Sequence, residues 1–175
     1  MVSLVMTILG ADRPGVVESV AELVNQHRAN WLESRMAHLA GQFAGIVHVE
    51  TDAAQADALV RALRKLDGEG LTVIVHKEGE TRELTPSFVL LHLDLMGNDR
   101  PGIVHEVTRV LAEREVNVEE FQTEQIAAPM SGERVFRASG QLRLPAGLTI
   151  QQLQEALEKI AHDLMVDIRL KPTDE

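Results

Sequence analysis

The chain has 175 residues, a formal net charge of -10, 45% apolar residues and no cysteine. That length builds one large domain or two small ones, and the missing cysteines exclude disulfides, thiolate nucleophiles and cysteine metal sites. The acidic balance argues against direct DNA binding, which needs clustered Lys and Arg; no apolar run approaches the roughly 20 residues of a membrane span, and "MVSLVMTILG" lacks the basic region of a signal peptide, so a soluble, cytoplasmic protein without membrane contact is expected.

In chain order, "SLVMTILG" reads as a strand. "PGVVESVAELVNQH" sets Val16, Val17, Val20, Leu23 and Val24 on one helical face. "NWLESRMAHLA" and "QFAGIVHVET" are two strands with Gly41 as a hairpin signal between them. "AAQADALVRALRKL" is a second helix, with Ala56, Leu59, Leu63 and Leu66 in register, and "LTVIVHK" is a fourth strand. "EGETRELTP" is polar and ends in Pro86, which makes 79–86 the expected linker between domains at 1–78 and 87–175. The order then repeats. "SFVLLHLDL" is a strand, and Ile103, Val104, Val107, Val110 and Leu111 match the first helix. "VNVEEFQTEQI" and "RVFRASGQLRL" are strands around the loop "AAPMSGE". "TIQQLQEALEKIAHDL" is a helix, and "MVDIRLK" alternates as a last strand.

The order βαββαβ, twice, is the split-βαβ, ferredoxin-like arrangement: an α+β fold with antiparallel sheets and helices on one face. "VMTIL" and "LTVIV" are apolar on both faces. Joined or stacked sheets and association between chains are therefore expected, because an apolar sheet face is unstable in water.

"GADRPGVV", Gly10 to Val17, returns as "GNDRPGIV", Gly97 to Val104, six of eight positions being identical. Each octet lies where a first strand meets a first helix. Pro14 and Pro101 suit the first helical position, Asp12 and Asp99 suit capping, and Gly15 and Gly102 suit a close backbone approach. A helix N-terminus also suits a carboxylate. Asp12, Asn98 and Asp99 could accept from an ammonium group. Asn30 and Asn117 stand at equivalent places before the second strand of each half and offer both donor and acceptor.

The strand, the octet, the amphipathic helix and the "A-N-W" or "V-N-V" that follows resemble the ACT domain family over both halves. "NWLESRMAHLAGQFAGIVHVE", with no attached enzyme, is similar to the glycine cleavage system transcriptional repressor family. This resemblance implies a non-catalytic regulatory protein that binds an amino acid, glycine or serine-like, and acts through a partner regulatory protein, as a homo-oligomer and without a cofactor. It implies ligand contacts at Gly10, Ala11, Asp12, Gly15 and Asn30, and at Gly97, Asn98, Asp99, Gly102 and Asn117. Ala11 replaces the polar Asn98 of the second copy, so the two sites are expected to differ. The alternative reading is a structural or interaction protein whose ACT-like folds bind no ligand.

Other chemistry finds little footing. His27, His38, His48, His76, His92, His105 and His162 are scattered, with no i, i+4 pair. No G-x-S-x-G elbow is present. Trp31 suits core or interface packing beside Asn30.

Overall fold

Leu4, Met6 and Ile8 are fully buried, while Val5, Thr7 and Leu9 between them point the other way. This alternation makes β1 (Val2–Ala11) a strand with one face on a core. The rest of the first half is α1 (Val16–Gln26), β2 (Asn30–Leu39), β3 (Gln42–Thr51), α2 (Ala53–Arg64), a 3-10 turn (Lys65–Glu69) and β4 (Leu71–Glu78). The second half has β5 (Val89–Asn98), α3 (Ile103–Ala112), β6 (Asn117–Ala127), β7 (Arg134–Leu144), α4 (Ile150–Leu164) and β8 (Val166–Pro172). The computed structural model describes residues 1–78, 88–127 and 134–173, so the expected linker at 79–86 and most of the loop "AAPMSGE" lie outside the described residues.

The chain divides into two compact units, Met1–Glu83 and Leu84–Glu175. Each holds a four-stranded antiparallel sheet, in the order β2-β3-β1-β4 and β6-β7-β5-β8. These are two ferredoxin-like units, as the element order predicts.

In the first unit the inward side chains of β1, β3 and β4 meet Val16, Val20 and Val24 of α1 and Leu59 and Leu63 of α2. In the second, Leu91, Leu93 and Leu95 meet Ile103, Val107 and Leu111 of α3 and Leu153 and Leu157 of α4. Trp31 is half-buried against the first core, in keeping with its packing role. Val17 and Val104, expected on the buried face, are exposed. They sit one residue after the buried first residues Val16 and Ile103 of their helices, which turns them about 100° away from the core.

The β2–β3 hairpin closes through Ala40 and Gly41, both at positive φ, with Leu39 opposite Gln42. Two positive φ values are what a type I′ turn requires. A β-bulge interrupts β2 between Trp31 and Glu33, and β6 between the matching residues Val118 and Glu120. α4 carries a complete capping box: Thr149 accepts from the Gln152 amide, and the Gln152 side chain accepts from the Thr149 amide. α2 has no side-chain cap and runs into the 3-10 turn.

The open sheet faces differ between the units. Around Thr7 in the first, Ile46 and Ile74 stand opposite on either side, each 53% exposed, with Val5 and Leu9 on the same strand. Around Asp94 in the second, the same places hold Ser139 and Arg169.

Candidate functional site

The octets do the same work in both units, in a way that differs from the expected one. The helices begin at Val16 and Ile103, with Gly15 (φ 91°) and Gly102 (φ 97°) as their N-caps. Pro14 and Pro101 therefore precede the caps and are not the first helical residues. Nor do Asp12 and Asp99 cap: neither helix has a side-chain cap. The reason is geometric. The left-handed glycine turns the chain sharply before the helix, and the aspartates point toward the end of the second strand. Asp12 lies 3.5 Å from His38 Nε2, and Asp99 accepts from the Gln125 side-chain amide. The Asp12 and Asp99 amides donate to the carbonyls of Gly41 and Arg134, both at 3.0 Å.

The glycines also divide their duties differently from expectation. A Cβ added to Gly15 or Gly102 would meet nothing within 4 Å, so those residues are needed for positive φ and not for a close approach. The close approach is at Gly10 and Gly97. There a Cβ would lie 2.6 Å from the Gly70 carbonyl oxygen and 2.6 Å from that of Met165.

Two further pairs carry the loop and were not among the expected residues. Arg13 Nη2 reaches the Glu69 carbonyl at 3.4 Å, and Arg100 Nη1 donates to the Asp163 carbonyl at 3.0 Å. Each arginine thus ties the octet to the end of the second helical segment, where carbonyls lack intrahelical partners. His38 and Gln125 are the second pair. Superposing the two halves by their octets aligns both pairs, which was the signal available in the sequence.

Of the expected contact residues, Ala11, Asp12 and Gly15 gather at one exposed turn, and Asn98, Asp99 and Gly102 at the other, with Gly10 and Gly97 half-buried just behind them. Asn30 and Asn117 do not join them. On β3, Gly10 and Ala11 face Phe43 and Gln42, while Asn30 faces Glu50. On β7, Asn98 faces Val135 and Asn117 faces Arg143. Eight residues of strand, about 26 Å, separate each asparagine from the octet of its own unit. No small ligand spans both.

The asparagines differ from each other as well. Asn117 Nδ2 donates to Glu119 Oε1 at 2.6 Å, and Glu119, the extra residue of the β6 bulge, also accepts from Arg143 Nε at 2.7 Å. In the first unit Leu32 stands at the bulge, so no acid occupies the place beside Asn30.

What the turns offer chemically is a pair of exposed helix N-termini. Uncapped amides and the positive end of the helix dipole attract an anion. Each helix also carries one acid in its first turn, Glu18 and Glu106. Glu106 is drawn along its helix to Arg109 at 2.8 Å, and that hydrogen bond holds its carboxyl below the usual carboxylate range. Among the described residues no three His, Asp or Glu side chains group as a metal site, and no helix is long and apolar enough to cross a membrane.

Residues 3–76 match the model of the ACT domain family. Over 166 residues the chain is 25% identical to the glycine cleavage system transcriptional repressor of Escherichia coli K12, covering 92% of this chain and 85% of that protein. A UPF0237 protein of Methanopyrus kandleri is 35% identical over 89 residues, which is 48% of this chain and 97% of that protein. The crystal structure of an unknown protein from Galdieria sulphuraria is 32% identical, with a TM-score of 0.84 over 99% of both chains.

Proposed function

Because this chain belongs to the ACT domain family and carries that fold twice, we propose that it is a non-catalytic regulator that binds a small amino acid, glycine or serine-like, and signals through a partner regulatory protein. The observation that carries this reading is the pair of uncapped, exposed helix N-termini at Gly15 and Gly102, built alike in both units. The amino acid's carboxylate takes the amides of the first helical turn, and carbonyls and carboxylates of the octet receive its ammonium group. Similarity to the Escherichia coli repressor supports a role in transcription, and the net charge of -10 supports its being exerted through the partner and not by contact with DNA. The exposed Leu9, Ile46 and Ile74 support self-association of the chain. An asparagine then reaches a ligand held at an octet only from outside that octet's own unit.

One observation favours the alternative, an interaction protein without a ligand. Asp12, Arg13, Gly10 and Gly15, all repeated in the second octet, each have a structural duty without one. Isothermal titration of the full chain against the twenty amino acids separates the two readings. The expected result is saturable binding of glycine or serine. Asn30→Ala is expected to weaken binding about ten- to hundredfold, the value of one hydrogen bond to a charged ligand group, with an unchanged melting temperature. Absence of binding by any of the twenty would leave the interaction protein.

A further inference from the structure

The two units bury equivalent apolar side chains, but their open sheet faces have parted. Where the first unit sets Thr7, Leu9, Ala44, Thr72, Ile74 and His76 on its open face, the second sets Asp94, Met96, Arg137, Asp167, Arg169 and Lys171. These six line one open cavity of about 290 Å³. A chain with 27 acidic and 17 basic residues has gathered three cations there.

Their pairing is incomplete. Arg137 leans toward Glu124 at 3.4 Å and Asp94 toward His92 at 3.4 Å. Arg169, Lys171 and Asp167 hold no ion pair among the described residues. Asp94 lies between the strands of Ser139 and Arg169, and Met96 between those of Arg137 and Asp167. Opposite charges therefore flank a partly exposed apolar side chain, Arg137 on one side of Met96 and Asp167 on the other.

We propose that this face is a binding site for an acidic amino acid, a molecule with two carboxylates and one ammonium group. The lining carries three positive and two negative groups, and a ligand of net charge -1 with both signs balances it. Arg169 and Arg137 take the two carboxylates, since a guanidinium matches a carboxylate with two parallel donors. Lys171 adds a third donor. Asp94 and Asp167 receive the ammonium group, and Met96 packs against the ligand's methylenes. The site lies on the open face of the second sheet and does not depend on amino-acid binding at the octets.

The test is calorimetric titration of the full chain with L-glutamate and L-aspartate, with glutarate as a probe lacking the ammonium group. Saturable binding of glutamate or aspartate, tighter than glutarate, is expected. Arg169→Gln should weaken it at least tenfold, and Asp94→Asn should erase the preference over glutarate. Both side chains are surface groups, so melting temperatures should hold; Lys171→Gln gives a second variant on the same argument. Glycine titrated in parallel should respond to neither variant, which separates this site from the octets. Failure of both acids to bind, equal affinity for glutarate, or affinity indifferent to all three variants would overturn the proposal.

Discussion

Thr51 is fully buried at the end of β3, and its hydroxyl has no hydrogen-bond partner among the described residues. The equivalent place in the second unit, opposite Val89 as Thr51 is opposite Val2, holds the buried Leu144. An unsatisfied buried hydroxyl costs about 1–3 kcal/mol. Thr51→Val, nearly the same in shape, should therefore raise the stability measured by urea unfolding by about 1 kcal/mol; a lowered midpoint would show that the hydroxyl is satisfied. The octet glycines make a second prediction. Gly102→Ala should cost about 1–2 kcal/mol from the left-handed backbone alone, and Gly102→Asn less, since Asn tolerates that region. Gly97→Ala and Gly97→Asn should both cost more than Gly102→Ala, because a Cβ there meets the backbone at Met165 and Val166. Thermal melts of the four variants give the ranking. The repetition of these glycines is plain in the sequence, but which glycine serves dihedral freedom and which serves proximity is not. That depends on the β5–β8 register, which brings Val166 against Gly97.

Among the helices, α3 carries a charge ladder, with Arg109 bonded to Glu106 at 2.8 Å and to Glu113 at 2.6 Å. Arg109 is raised above its ordinary value by those two acids, and Glu106 is lowered chiefly by the hydrogen bond from Arg109. A carboxyl depressed in the folded state stabilises above its unfolded pKa and loses that contribution as pH falls through the folded value. Arg109→Met should thus lower the melting temperature slightly at neutral pH and by less near pH 3, below the ordinary Glu value of about 4.3. A deficit of equal size at both pH values would assign it to packing. The ladder is exposed, so salt should shrink the effect. Helices and strands were legible in order and type because apolar periodicity is strong in each. The helix starts were not: an aspartate before Pro–Gly looks like a cap, and only the fold shows that His38 and Gln125 have claimed it. The distance of the asparagines from the octets was hidden for a similar reason. They stand at equivalent points of the repeat, and a linear pattern does not say that the first helix has carried the chain to the far end of the sheet.

For the molecule as a whole, the net charge of -10 sets the expected behaviour toward DNA. A gel-shift experiment with the purified chain should show no sequence-selective, salt-sensitive complex; such a complex would refute a role exerted only through a partner. The two cores are each complete within their unit, with side chains from both helices and from the central and outer strands. The open faces are under no such demand. A doubled gene starts with two identical surfaces, and packing then holds the inward side chains of both copies while leaving the outward ones to drift. Here the two faces differ across the same register, Ile74 standing where the second unit has Arg169 and Thr7 where it has Asp94. The second unit's outer face is therefore the part of the chain where selection can exchange one recognition property for another without disturbing the fold beneath it.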